Sequence, residues 1–327
     1  MDMRRFLMLC GRSFYRLGLA GWIIQMQPGR VRGVLYHAID SDDTAYNRGL
    51  KLSVSPETLD SQLAYFSRYY QFAGSSDTEA AKHSATLAIS FDDGFSSVYH
   101  NGWPVLKKHK APASIFLVTR AVQQQLLWFN ALNWALHQQP VIARKILGRY
   151  IQKPLPKLPR DCVIEVQEHS SPETISKLLE ELHEALPFDK SQTHYLSPVQ
   201  IEEMRAGGIS FGFHTVDHYN LINCDAEELA RQLDSSALRS FVSDHSFAYP
   251  CGYYDADVLR GALSRGFDPL MGVGLDNGRH HHCHLDRVEI YHSNAADIFA
   301  QLEVVEPLLA LFRRWMRRQT GQRPSFR

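Results

Sequence analysis

Short strand-like runs recur along the chain, separated by turn signals or by segments in which apolar residues have helical spacing. The runs span residues 33–36, 86–91, 113–118, 209–213, 246–249 and 285–290. Short apolar runs between turn signals are typical of strands buried on both faces. Strands that alternate with helices favour a parallel α/β fold. The pattern therefore predicts a parallel sheet with helices packed around it.

Capping residues mark the starts of several predicted helices. Ser55 precedes a proline and an acidic residue, which is typical of a helix N-terminus. Ser197 and Gln200 have the spacing of a capping box. Asp225 begins a further helix that we expect to continue to Leu238. These helices lie between the predicted strands, as a parallel α/β fold requires.

The region from about residue 120 to 196 departs from the alternation of strands and helices. It has helical patches at 126–138, 141–150 and 172–186, with prolines 154, 156 and 159 between the second and the third. We predict a helical insertion with a proline-rich turn, which could form a lid or a wall of a substrate groove. Its aromatic residues Trp128, Phe129 and Trp134 could stack on a sugar ring or a lipid tail, although core packing is the commoner role.

Acidic and histidine side chains follow two of the predicted strands. Asp92 and Asp93 close the run 86–91, and His214 and His218 close the run 209–213. In α/β barrels the chemistry lies at the carboxyl ends of the strands. Neighbouring strand residues point to opposite faces, but the chain turns where a strand ends, so both carboxylates can point into one cleft. The sequence therefore predicts one site built from both groups.

These four residues match the needs of a metal-dependent hydrolase. A divalent cation needs a few hard or borderline ligands and an open position for water, which one carboxylate and two neutral imidazoles provide. A second carboxylate can stay off the metal and accept a proton from the bound water. We assign Asp93, His214 and His218 as the ligands, and Asp92 as the base.

Three stretches resemble the first motifs of the polysaccharide deacetylase family, also called the NodB-homology or carbohydrate esterase family 4 fold. They are Ser-Phe-Asp-Asp-Gly from residue 90, His-Thr-Val-Asp-His from 214, and Phe-Ala-Tyr-Pro-Cys-Gly from 247. The resemblance covers roughly residues 31–291 and implies a distorted (β/α)7 barrel. It also implies that Asp92 is the general base. Asp93, His214 and His218 would then hold one divalent metal, most often Zn²⁺.

The chain departs from the family pattern in two places. Ala248 stands where the third motif has an arginine that orients the catalytic aspartate. Arg287, in a late strand-like run, could return a guanidinium to the site. The late motif that carries the family's general acid has no clean counterpart, and His37, His284 and His292 are the candidates.

Two further features bear on the site. Substrate and oxyanion contacts are expected at Tyr249 and Pro250, through the backbone N–H of Tyr249 or of a neighbour. The histidine run 280–284 follows a turn signal and is typical of an exposed loop with weak, adventitious metal affinity.

Composition agrees with one large catalytic domain. The chain has 327 residues, of which 44% are hydrophobic and 21% are charged, and this is ordinary for a globular protein. Its formal net charge of zero gives no general attraction to nucleic acid, so we exclude a nucleic-acid partner. Five cysteines without close spacing favour a reducing compartment.

Both ends of the chain are apolar and basic. Residues 1–30 contain two apolar stretches interrupted by Arg12 and Arg16, too short to span a bilayer and too charged for a signal peptide. We predict the catalytic barrel at residues 31–300 and a basic helix and tail at residues 301–327. We expect peripheral contact with the inner face of the membrane and a cytoplasmic location. The alternative is that both ends are helices packed on the barrel or solvated.

The resemblance implies hydrolysis of an N-acetyl or O-acetyl group on a sugar. The absence of an export signal favours a lipid-linked or nucleotide-linked precursor of a bacterial surface polysaccharide over finished cell wall. Two alternatives stay open. One is a non-sugar amide hydrolase on the same fold, such as an allantoinase-like enzyme. The other is an inactive carbohydrate-binding relative, which Ala248 and the missing late histidine motif would favour.

Overall fold

The strand-like runs form parallel strands that close into a barrel. The computed structural model describes residues 2–27, 31–74, 85–151, 153–188, 194–242, 245–274 and 285–320. The strands are β1 (Val31–Tyr36), β2 (Ala38–Ile39), β3 (Ser53–Val54), β4 (Gln71–Ala73), β5 (Thr86–Phe91), β6 (Ser114–Leu117), β7 (Ser210–Phe213), β8 (Phe247–Ala248), β9 (Leu270–Val273) and β10 (Leu285–Glu289). Neighbours follow the order β1, β10, β9, β8, β7, β6, β5, and β5 pairs again with β1. The predicted distorted (β/α)7 barrel is confirmed.

The distortion of the barrel is clearest at β5. Along one edge, β5 pairs with β1 over its full length. Its other edge is divided, because β4 pairs with Thr86–Ala88 and β6 pairs with Ser90–Phe91. The two short strands β2 and β3 form a separate pair outside the ring. The barrel is therefore continuous on one side of β5 and changes partners halfway along the other.

Several positions that face the interior of the barrel carry small side chains. Ala88 and Ala248 lie there in a small apolar cluster with residues of β6, β9 and β10. Gly33 also faces this space, since a Cβ at that position would lie 2.9 Å from Cγ of Arg287. The small residues leave room for one long side chain, and Arg287 occupies it with no exposure to solvent.

Helices surround the barrel and begin largely where capping residues predict. They are α1 (Met3–Arg16), α2 (Ala20–Gln25), α3 (Pro56–Tyr69), α4 (Trp103–His109), α5 (Thr119–Val122), α6 (Trp128–Gln138), α7 (Pro140–Tyr150), α8 (Pro159–His169), α9 (Pro172–Ala185), α10 (Pro198–Ala206), α11 (Ala226–Gln232), α12 (Ala256–Ser264), α13 (Ala295–Phe299) and α14 (Glu306–Thr320). The Ser55 and Asp225 caps and the Ser197 capping box are present. The helix from Asp225 ends at Gln232, earlier than predicted, because Asp234 bonds the N–H of Ser236 and favours a turn there.

The region between β6 and β7 contains α5 to α10. Helix α8 was not among the predicted helical patches, because Pro159 was interpreted as part of a turn. Pro159 instead occupies the first turn of α8, where its missing N–H costs nothing. Helix α6 packs against α7, α8 and α9. Trp128 is buried in this packing, and its indole N–H donates to the carbonyl of His218 at 2.9 Å.

The two ends of the chain pack against each other. Helix α1 lies against α13 and the π-helical segment 300–305. Gly11 allows the close approach, since a Cβ there would lie 2.5 Å from that of Ala300. Arg4 pairs with Glu306 at 2.9 Å, and Arg12 pairs with Asp297. Within the described ranges no helix combines the length and the apolar character needed to cross a membrane.

A buried ion pair ties the C-terminal segment to the barrel. Arg32 on β1 donates two hydrogen bonds to Glu303, at 2.7 and 2.8 Å, and both side chains are almost fully buried. The hydroxyl of Tyr70 donates to the same carboxylate at 2.9 Å. Excellent geometry and additional hydrogen bonds are what a buried pair needs to offset its loss of hydration.

We predict that Glu303→Ala lowers the free energy of unfolding by about 3–5 kcal/mol, because it leaves the Arg32 charge buried and unpaired. The double variant Arg32→Met, Glu303→Leu removes both charges and should lose clearly less. Urea unfolding followed by circular dichroism measures both. Equal losses in the two variants would show that packing, and not the uncompensated charge, sets the cost.

Candidate active site

A pocket of about 350 Å³ lies where the carboxyl ends of the barrel strands meet. Its floor is lined by residues at or just beyond the ends of five of these strands, His37, Asp92, Asp93, His214, His218, Cys251, Tyr253 and Glu289. Its wall comes from the loop after β2 and from α6 and α8, and includes Leu50, Leu52, Phe129, Arg160, Val163, Ile164 and Gln167. The pocket thus combines a polar floor with a largely apolar wall.

Unusual backbone conformations direct the polar side chains into this pocket. Asp93 has φ of 70° at the exit of β5, and Thr215 and His218 have φ of 70° and 61° after β7. Positive φ is costly for residues other than glycine, and such strain collects at functional sites. At Asp93 it turns the chain, so that the carboxylates of Asp92 and Asp93 both reach the pocket.

Asp93, His214 and His218 form a compact group of candidate ligands. Their ligand atoms lie within 4.8 Å of one another, and Asp93 Oδ1 is 3.3 Å from Nε2 of His218 and 3.6 Å from Nε2 of His214. Nδ1 of His214 lies 2.8 Å from the carbonyl oxygen of Ala248, which accepts a hydrogen bond and leaves Nε2 free for the pocket.

The group fits a divalent metal by two further observations. Asp93 Oδ1 is buried and has no hydrogen-bond partner among the described residues, which is costly unless a cation lies beside it. Burial lowers the pKa of His218 from 6.5 to about 4, so its imidazole is neutral at physiological pH, as a ligand must be. One carboxylate with two imidazoles suits Zn²⁺ among other divalent metals.

Arg287 holds Asp92 from the barrel interior. Its two terminal nitrogens donate to the two carboxylate oxygens of Asp92 at 2.7 and 2.8 Å, and one of them also donates to Ser90. Burial alone would raise the pKa of Asp92, but the guanidinium of Arg287 and the nearby His214 hold it below its usual value. Asp92 is therefore ionised, and its Oδ2 lies 3.7 Å from Nε2 of His214.

A second layer of contacts fixes the loop that carries the histidines. Asp217 lies between the two histidines in sequence and is buried. It accepts hydrogen bonds from Arg120, Arg231 and Gln232. Burial acts to raise the pKa of Asp217, and the two arginines more than offset it and lower it. The backbone N–H groups of residues 119 and 120 donate to this loop at Thr215 and Val216. The loop is thus held from both sides by groups other than a metal.

The sequence model of a family described as polysaccharide deacetylase matches residues 79–270. The chain belongs to the polysaccharide deacetylase family. It is 21% identical over 270 residues to the Bacillus subtilis (strain 168) protein named "Putative polysaccharide deacetylase YxkH", covering 79% of this chain and 69% of the relative.

Solved structures of deacetylases have the same fold. The Streptococcus pyogenes deacetylase PplD, in complex with acetate, superposes with a TM-score of 0.54 at 18% identity, covering 85% of this chain and 99% of PplD. IcaB from Ammonifex degensii superposes with a TM-score of 0.51 at 18% identity, covering 84% and 97% of the two chains. These likenesses support the barrel architecture of this polysaccharide deacetylase family member.

The candidates for the general acid separate in the structure. His37 lines the pocket, and its Nδ1 lies 3.9 Å from Oε1 of Glu289. His292 does not line the pocket, and its carbonyl oxygen accepts a hydrogen bond from Gln62. His284 and the rest of the histidine run lie outside the described residues.

The expected oxyanion contact at Tyr249 needs correction. Its N–H donates to the carbonyl of Met271 as part of the barrel ladder, and its ring is buried against Tyr254. Pro250 has no N–H and does not line the pocket. The chain reaches the pocket one residue later, at Cys251, which has φ of 52°. Because the N–H of Tyr249 is used within the sheet, the turn brings a later residue, Cys251, to the pocket. The motif alone does not reveal this shift.

The remaining pocket residues were missed in the sequence. Glu289 could have been found, because side chains alternate along a strand and it shares the inward face with Arg287. Arg160 and Gln167 come from α8, the helix that sequence patterns did not reveal. A proline followed by an acidic residue in the first turn was the available signal.

We predict that Arg287→Gln shifts the acidic limb of the kcat/KM profile to higher pH. Without the guanidinium, the largest effect that opposes burial is lost and the pKa of Asp92 rises, so the carboxylate protonates at higher pH than in the parent. Activity near pH 7 should fall by ~10–100-fold, the usual effect of losing a supporting contact. Arg287→Lys keeps the charge and should shift the limb less. An unchanged limb, with metal content also unchanged, would contradict a role for Arg287 through Asp92.

Proposed function

We propose that this protein is a metal-dependent deacetylase that hydrolyses the N-acetyl group of an amino sugar. The observation that supports the proposal most is the ionised Asp92, held by Arg287 and placed beside the three candidate ligands in one pocket. A base next to an open metal position is what hydrolysis of an unactivated amide requires. A complete base and ligand set also favours an active enzyme over an inactive binding relative.

The chemistry follows from these residues. A divalent metal held by Asp93, His214 and His218 would polarise the acetyl carbonyl and acidify a water molecule. Asp92 accepts the proton of the attacking water, while Arg287 keeps the carboxylate in position. The water oxygen adds to the acetyl carbon, the carbon–nitrogen bond breaks, and a proton is delivered to the departing nitrogen. The products are acetate and a free amine. An O-acetyl ester would be cleaved by the same groups.

His37 is our candidate for the donor of that last proton. It lines the pocket on the side opposite β7 in the strand order, and its Nδ1 lies 3.9 Å from Oε1 of Glu289, within ion-pair distance when the imidazole is protonated. An amide needs such a donor, because an amine leaves poorly unless its nitrogen is protonated.

Two features of the pocket bear on the substrate. The wall formed by Leu50, Leu52, Val163 and Ile164 offers apolar surface, and Arg160 places a positive charge beside it. A sugar joined to a lipid or a nucleotide through phosphate combines an apolar or aromatic group with negative charge. We propose a precursor of this kind, from bacterial surface-polysaccharide metabolism and at the cytoplasmic side of the membrane, over finished cell wall.

The test of the function is acetate release by Zn²⁺-reconstituted protein. We expect release from a lipid-linked N-acetylhexosamine and less from chitooligosaccharides. Asp92→Asn removes the base and keeps the three candidate ligands, so it should retain the metal and lose activity by ~10²–10⁴-fold. It also leaves Arg287 without its anionic partner, so urea unfolding of this variant is compared with that of the parent. His214→Ala should lose both metal and activity. Full activity of Asp92→Asn would contradict the proposed base. Turnover of small ureides in place of any acetylated sugar would instead select the allantoinase-like alternative.

The role of His37 is tested with two leaving groups. His37→Ala should slow release from the N-acetyl amide by ~100-fold or more, as is usual for loss of a general acid. The same variant should hydrolyse p-nitrophenyl acetate nearly as fast as the parent, because nitrophenolate leaves without protonation. Equal losses on both substrates would show that His37 acts before the leaving group departs.

A further inference from the structure

We propose that helices α1, α2 and α14 together form a surface that binds bilayers containing anionic lipids. The inference does not depend on the proposed chemistry, since it concerns residues that do not line the pocket. We call this surface the terminal apolar surface. It consists of the exposed residues Met3, Phe6, Leu9, Phe14, Leu17, Leu19, Trp22, Met26, Leu308, Leu311 and Trp315, whose exposed fractions range from 37% to 72%.

The exposed apolar residues of α1 lie outside the face through which the helix packs. The helix packs on the protein through another face, where Gly11 meets Ala300 and Tyr15 contacts Phe299. Met3, Phe6 and Phe14 recur with helical spacing on the side that remains exposed. A helix at the edge of a globular protein normally presents polar residues to water, so α1 carries more apolar surface than its packing requires.

The exposed apolar residues of the two ends belong to one surface. The ion pair between Arg4 and Glu306 brings the first turn of α1 beside the first residue of α14. From there Leu308, Leu311 and Trp315 follow along one face of α14, at intervals of three and four residues. The stripes of α1 and α14 therefore begin at the same place, although they lie at opposite ends of the sequence.

Charge identifies the partner. Residues 313–327 contain six arginines and no acidic residue, in a chain whose net charge is zero. Residues 1–27 contain four arginines and one aspartate, and of these arginines Arg4 and Arg12 pair with Glu306 and Asp297. Arg5 and Arg16 are exposed on α1 beside the apolar face. Basic residues are attracted to an anionic bilayer surface, and aromatic and aliphatic side chains insert below the headgroups. A second copy is a poorer partner, because a two-fold interface would bring the same arginines together.

Vesicle flotation of the full-length protein tests the proposal. We use vesicles of phosphatidylcholine alone and vesicles with about one third phosphatidylglycerol, enough to give an anionic surface. The parent should float with the anionic vesicles, bind the neutral ones at least tenfold more weakly, and dissociate as salt rises. The variant Phe6→Glu, Trp22→Glu, Trp315→Glu should lose binding by at least tenfold.

A matched control uses apolar residues that are equally exposed elsewhere. Val141 and Val199 are 81% and 66% exposed, on α7 and α10, so Val141→Glu, Val199→Glu adds acidic charge away from the surface. This control should bind anionic vesicles almost as well as the parent, with only a small loss from its added charge. Urea unfolding and turnover of a soluble acetylated substrate should be unchanged in both variants.

Three results would overturn the proposal. The first is no binding of the parent to either vesicle, and the second is equal binding to both. The third is a parent that forms dimers in sedimentation and a triple variant that is monomeric, since the surface would then join two copies. Loss of deacetylation with vesicle binding intact would count against the proposed function alone.

Discussion

The ion pair between Arg287 and Asp92 is the contact around which the candidate site is built. Both side chains are almost fully buried inside the barrel, where neither charge is stable without the other. The guanidinium fixes both oxygens of the carboxylate, so Asp92 has one orientation and stays ionised. Asp93, the next residue, is then set by the turn at the end of β5. The positions of the candidate base and of the candidate ligand beside it therefore depend on one arginine from the last strand.

The interior of the barrel accommodates this arginine by being small elsewhere. Gly33 and Ala248 leave the volume that a long side chain from β10 requires. In the family pattern an arginine occupies the position of Ala248, and here the guanidinium enters from a different strand. A closed barrel permits this exchange, because inward-facing residues of several strands reach the same central space. The arginine that holds this aspartate can thus come from more than one position in the sequence.

Local sequence patterns predicted the parallel strands and the polar residues that follow them, whereas the closed barrel was implied by the family resemblance. Asp92, Asp93, His214 and His218 follow strands directly, so the end of each strand gives their position. Arg287 was reached only as a hypothesis, since nothing local specifies its partner. Contacts that depend on the tertiary structure could not be predicted from the sequence. The N–H of Tyr249 bonds a neighbouring strand, and α8, which is distant in sequence from the candidate ligands, supplies a wall of the pocket.

The closure of the ring has a consequence for how the molecule can be divided. Strands β1 and β10 lie outside residues 79–270, the part that matches the family model, yet both are strands of the closed barrel. A fragment of residues 79–270 would have two strands with unpaired edges and would lack Arg287. The family model therefore matches a stretch of sequence that is shorter than the closed barrel. Any transplant or truncation of this protein has to keep the ring closed, with its first and last strands side by side.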